Sequence, residues 1–189
     1  MTSRTNSSVV QFKGFTLEFR VDRAASQKKS KALCPPGESP FFFAAGEVWL
    51  AMPSRSALLL DDESASNLLE TIRHLDRKLI EASKGGVALS GVIEKGQWAP
   101  WMKGYWARVD QGRAELEDEE IYERLADAIV VDAKSGCVAV YRHLDSVVVE
   151  ACLRSDVDDW LSVYDTPDVG ELRTALVEIS THILGYLRS

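Results

Sequence analysis

Within the 24 residues from Ile129 to Cys152 the chain writes three β-rich runs: Ile129-Val-Val-Asp132, Cys137-Val-Ala-Val-Tyr141 and Val147-Val-Val-Glu-Ala-Cys152. The gaps between them are far shorter than the dozen or more residues a parallel crossover needs, so the runs must pair antiparallel. Ala133-Lys-Ser-Gly136 closes the first hairpin, with Gly136 expected to supply a positive φ. Upstream, Phe15-Thr-Leu-Glu-Phe-Arg-Val21 alternates apolar and polar residues, the period of a strand with one buried face. Glu47–Met52 and Ala57–Leu60 read as two further strands joined through Pro53-Ser-Arg-Ser56. A weaker strand is expected over Val87–Ile93, and another over Trp106–Val109, reached through a loop from Trp98.

Three segments carry a helical period. Leu68, Ile72, Leu75 and Leu79 form an apolar stripe, with Asp62 or Ser64 expected to cap it and Gly85 to end it. Ile121, Leu125 and Ile129 mark a short helix with acids at its N-terminal end, and a further one is expected around Asp156–Tyr164. Val169, Leu172, Leu176, Ile179, Ile183 and Tyr186 recur every three or four residues behind Thr166 and Pro167, which suit a cap and a first turn. This last stripe spans fewer than three heptads, too few for a coiled coil, so it should lie on a sheet.

Strands grouped in meanders, with helices that do not alternate with them, define an α+β class with a largely antiparallel sheet. A long C-terminal helix and a second, leucine-rich helix should pack on it. The length of 189 residues suits a single domain over 1–189, with a sub-lobe split near residue 95 as an option. Residues 24–40, with three prolines, a glycine and three lysines, read as a mobile basic loop.

Charge and cysteine usage narrow the function classes. The net charge of −7 argues against nucleic-acid binding. Residues 1–31 hold seven basic and two acidic side chains, so the remainder carries −12 and would steer a basic partner toward it. No apolar run is long enough to cross a bilayer, and the N-terminal segment lacks the pattern of a secretory signal. Cys34, Cys137 and Cys152 show neither zinc spacing nor a redox motif, which suits reduced thiols in a cytoplasm.

No catalytic motif stands out. G-x-S-x-G is missing, Lys84-Gly-Gly86 reverses the order of a phosphate loop, and His74, His143 and His182 are scattered. Cys152 with His143 and Asp145 could be assembled into a thiol site, and Asp156, Asp158 and Asp159 beside Trp160 into a carboxylate site. A core cysteine and acids at the start of a helix account for the same residues, so no catalytic residue, metal ligand or cofactor is assigned.

Three of the five tryptophans fall within Trp98–Trp106, next to an acidic run. Aromatic rings inside a charged rim are the composition of an interface hot spot. Trp98, Trp101, Tyr105 and Trp106 are therefore the candidate anchors for a partner, and Glu117, Asp118, Glu119 and Glu120 its charged rim. The competing readings are rings that close the core, a small-molecule-binding protein or enzyme with a pocket near Trp98–Trp106, and a structural or adaptor subunit that dimerises through the last helix.

The order of elements resembles small bacterial immunity proteins, cytoplasmic antidotes to toxins delivered between cells. GFTLEFRV, GEVWLAMP, SNLLETIRHL and IVVDAKSGCVAVYRHLDSVVVEACLRSDVDDWL carry the likeness. The resemblance implies a non-catalytic inhibitor that covers a toxin's active site or substrate surface, with a basic nuclease domain as a fitting target. It carries over no contact residue.

Overall fold

Antiparallel meanders form twice in the computed structural model, which describes residues 5–34, 43–61, 67–155 and 158–189. The first sheet holds β1 (Thr5–Phe12), β2 (Phe15–Asp22), β3 (Gly46–Met52) and β4 (Arg55–Leu60) in chain order. The second holds β5 (Ile129–Ala133), β6 (Gly136–His143), β7 (Ser146–Leu153) and β8 (Trp160–Thr166). Between and around them run α1 (Arg23–Leu33), α2 (Leu68–Ser83), α3 (Trp98–Asp110), α4 (Leu116–Ala126) and α5 (Gly170–Arg188). The class is α+β, as the sequence predicts.

One core serves both sheets. β2 buries Phe15, Leu17, Phe19 and Val21 and leaves the residues between them half-buried. These side chains join the stripe of α2 (Leu68, Leu69, Ile72, Leu75, Leu79) and that of α5 (Leu172, Leu176, Ile179, Ile183, Leu187). From the second sheet Val138, Val140, Val147, Val149 and Ala151 enter the same cluster. The alternate residues Cys137, Ala139, Tyr141, Val148 and Cys152 face the other way, into a second cluster with Trp98, Met102 and Leu125. With apolar partners on both faces, β6 and β7 read as continuous hydrophobic runs rather than alternating ones.

Several local expectations give way. The basic stretch after β2 is a helix to Leu33, because Asp22 Oδ1 accepts from the Ala25 amide at 2.9 Å and no proline intervenes before Pro35. Its apolar period is faint because the residue it buries is Ser26, whose hydroxyl bonds Asp22 O and accepts from Ala45 N at 2.9 Å. The rest of the expected loop, 35–40, lies outside the described residues.

Asn67 caps α2, its Oδ1 accepting from Leu69 N at 3.1 Å; Asp62 and Ser64 lie outside the described residues. Val87–Ile93 is a turn region in which Ala88 bridges Arg142, since Val87 (φ 51°) and Gly91 (φ 77°) break an extended path. Trp160–Thr166 is a strand paired with β7 over seven residues, where a helix was expected. α5 starts at Gly170, and Thr166, at the end of β8, bonds Asp168 N at 3.1 Å instead of capping the helix.

Gly136 is not among the positive-φ residues. Glycine is required there by close approach, because a Cβ would stand 2.6 Å from Cys152 O. Gly46 is tighter, with a Cβ meeting Arg20 O at 2.0 Å and a Leu68 methyl at 2.8 Å. Gly46→Ala should therefore destabilise the protein by about 1–3 kcal/mol through overpacking. Gly185→Ala, inside α5 with nothing within 4 Å of the new methyl, should stabilise it by roughly 0.5–1 kcal/mol. Urea unfolding of the two variants checks the opposite signs.

Candidate functional site

The segment Trp98–Trp106 is helical throughout, and the reason lies in its first turn. Pro100 sits where a helix has no internal amide bond to lose, so it does not oppose α3. The free amides of that turn are taken by Glu150, which reaches up from the middle of β7 and is 1% exposed. Glu150 Oε1 accepts from Ala99 N at 2.8 Å, and Oε2 accepts from Trp98 N at 3.3 Å and from the Tyr141 hydroxyl at 2.7 Å. Tyr141 in turn accepts from Gly96 N at 3.0 Å. Burial raises the carboxyl pKa of Glu150, against the bonds from Ala99, Tyr141 and Trp98 that favour its ionised form. Burial likewise raises the Tyr141 phenol, with Glu150 adding to the effect.

With its N-terminus fixed on the sheet, α3 sorts its rings. Trp98 is fully buried and its indole donates to Leu125 O at 2.8 Å, which ties α3 to α4. Tyr105 is 7% exposed and forms the hub of a ring cluster. It stacks on Trp101 (centroids 5.5 Å apart, 9°) and on Tyr122 of α4 (4.6 Å, 16°). Trp106 meets Tyr105 and Tyr122 edge-on at 5.3 and 5.4 Å and turns outward, 46% exposed. Trp101 is half-buried, with the Arg108 guanidinium 5.5 Å from its ring centre. Tyr122 carries no signal in the sequence, because a tyrosine amid acids gains its role only where α4 lies against α3.

The acids divide too. Asp118 is engaged internally: it accepts two bonds from Arg108 at 2.8 and 3.1 Å and one from Glu115 N at 3.2 Å. Arg108 and then that amide hold its carboxyl below the usual range. Glu117, Glu119, Glu120 and Glu123 are exposed. At 100° per residue, Glu119 and Glu123 lie within ~60–100° of Tyr122 around α4, whereas Glu117 and Glu120 lie ~140–160° away. Glu119 and Glu123 therefore adjoin the rings, and Glu117 and Glu120 occupy the other flank. Leu116, 73% exposed, and Val109, 36% exposed, add apolar surface where α3 turns into α4.

The thiol assembly weighed in the sequence does not form, and of the carboxylate one Asp156 lies outside the described residues. Cys152 pairs with Cys137 across β6 and β7, while His143 pairs with Ser146 at the far end of that hairpin. Asp159 is bound to Lys103 at 2.8 Å, and Trp160 lies under the Arg55 guanidinium at 4.6 Å. His182 bonds Asn6 at 2.9 Å on the surface, and His74 bonds Ile129 O at 3.0 Å, so neither stands with the thiol or carboxylate candidates. Cys137 and Cys152 are free thiols facing each other, a proximity hidden by their distance in sequence. Among the described residues no cluster of three or more His, Cys, Asp or Glu side chains could hold a metal ion, and no helix is long and apolar enough to cross a membrane. No family model, curated protein or solved structure matches the chain.

Two outcomes test this assignment. Trp98→Ala should cost about 3–5 kcal/mol of stability in urea unfolding, and Trp106→Ala only about 1 kcal/mol through its two ring contacts. The raised pKa of Glu150 means that the folded state holds this proton more tightly than the unfolded chain, whose value is near 4.5. Its contribution to stability is thus complete below that value and declines as pH rises through the folded pKa. The stability difference between the natural protein and Glu150→Gln should fall accordingly as pH increases from about 4.5. A difference that rises would mean that the three hydrogen bonds outweigh burial.

Proposed function

We propose that the chain is a non-catalytic protein-binding module, an immunity-type inhibitor that neutralises a basic toxin domain such as a nuclease. The observation that carries this reading is the α3–α4 face, where the outward Trp106 stands beside Glu119 and Glu123 on a scaffold fixed by buried bonds. Acidic side chains would enter the positively charged cleft meant for nucleic acid and speed the encounter. Trp106, with Val109 and Leu116, would supply the desolvated contact that slows dissociation. Trp98 and Tyr105 serve the reading indirectly, as buried supports that hold the exposed ring still.

Rigidity matters to this mechanism. A preformed aromatic anchor loses little conformational entropy on binding, because its ring is already held by Tyr105 and Tyr122. A cytoplasmic location fits an antidote that meets its toxin inside the cell, and the negative balance after residue 31 fits a basic target.

The test begins at the neighbouring reading frame on the genome. Its product, expressed alone, should arrest growth, and co-expression with this chain should restore it. In stopped-flow association with that product, Glu119→Gln with Glu123→Gln should slow binding at low salt about tenfold and flatten the salt dependence. Glu117→Gln with Glu120→Gln should do so less. Trp106→Ala should act on dissociation instead. Normal growth with the neighbour alone, or rates indifferent to both the acids and the salt, would end the proposal.

A further inference from the structure

A second surface carries chemistry that the acidic face does not use. Between α2, the end of β4 and the outer edge of β5 lies a cleft of about 590 Å³, within the range of small-molecule sites. Arg73, His74 and Arg77 project into it from α2, Asn67 borders it at the helix start, and Leu60 and Val130 form apolar wall. Neither Trp98 nor any of the other aromatic anchors borders it.

Asn67 is the informative residue. It is 9% exposed, and its Oδ1 is committed to two backbone amides, Leu69 N at 3.1 Å and Ala44 N at 3.2 Å. The amide Nδ2 must therefore point away from them, and among the described residues it has no partner. This N–H₂ is not sealed from solvent, since among the described residues the buried side-chain nitrogen or oxygen without a partner is Arg23 Nε; it is free to donate at the cleft surface to water or to a ligand. The first-turn amides of α2 offer no such site, because Leu68, Leu69, Glu70 and Thr71 all donate to Ala44 or Asn67 oxygens.

The charges point to an acceptor of one sign. Glu70 is bound to Arg73, and Asp132 to Arg154 at 2.7 Å, so each acid on the cleft wall is already neutralised. Among the described residues this leaves Arg77 as the surplus cation. Glu81, 3.9 Å from it, is shared with Lys78 at 3.2 Å. His74 donates through Nε2 to Ile129 O, which leaves Nδ1 to accept from Arg77 at 2.6 Å and orients the exposed guanidinium at the cleft rim. A guanidinium held in this way presents its remaining N–H groups to an oxyanion.

We propose that this cleft binds a small anion, a carboxylate or phosphate ester with a short apolar body, whose oxygens take the Asn67 amide and the Arg77 guanidinium. Leu60 and Val130 would cover the apolar part. The inference stands apart from toxin inhibition and would hold if that reading failed.

The test uses the full chain and three probes: phenyl phosphate, benzoate and the neutral benzyl alcohol, titrated by calorimetry and by amide NMR. One of the two anions should bind saturably and benzyl alcohol should not, with shifts centred on Asn67, Thr71 and Val130. The stronger of the two distinguishes phosphate from carboxylate. Asn67→Asp keeps the capping oxygen, and so the helix, but replaces the donor with negative charge; it should weaken binding at least about tenfold. Arg77→Gln, on the exposed face of α2, should weaken it comparably without changing Tm. No saturable binding by either anion at about 10 mM, affinities untouched by both substitutions, or displacement of phenyl phosphate by an acidic peptide that binds more tightly would each overturn the proposal.

Discussion

One buried carboxylate organises the half of the molecule that carries the aromatic cluster. Glu150 stands in the middle of a strand whose other buried residues are valine, alanine, cysteine and leucine, and it is kept there because three donors converge on it. A helix N-terminus carries partial positive charge and unsatisfied amides, so an acid is the side chain that suits it. Removing the acid would leave two amides and a phenol without an acceptor in a dry interior. The position of α3 on the sheet, and through the Trp98 indole that of α4, follows from this contact.

From that anchor the aromatic segment divides between interior and surface in a regular way. Residues Trp98, Met102 and Tyr105 lie three or four apart and turn inward, while Trp106 falls between the buried rows and turns out. A cluster that looks uniform in the sequence thus contains a core tryptophan, a half-buried one and an exposed one. The acids behave alike: Asp118 is held by Arg108, while its neighbours remain in water. Adjacency in sequence on a helix does not mean a shared face, and this is why an acidic run of six side chains supplies fewer to any one surface.

The parts of the fold legible in the sequence are those set by long apolar periods. The stripes of α2 and α5, the alternation of β2 and the hairpin of β5 and β6 were all written in residue spacing. What stayed hidden depended on contacts from elsewhere in the chain. α1 is held by one capping aspartate and a buried serine, neither of which carries a hydrophobic period. β8 is extended because β7 offers it a full ladder of partners, and its own residues alternate poorly. Glycine and proline in the tryptophan segment suggested a loop, yet Pro100 falls in the first turn, where a helix tolerates it. Asn67 and Arg77 could not be singled out, because the cleft they share exists only once α2 lies across the edge of β5.

Both meanders pack against α2, which contributes its stripe to a cluster that both sheets enter. Such a helix behaves like the spine of a book. Neither cover can swing loose without stripping water-shielded surface from the other, so opening events that reach α2 should engage the whole molecule at once. The amides of its middle turns would then be the last to trade their hydrogens with solvent, and the aromatic face and the α2 cleft would share one reserve of rigidity.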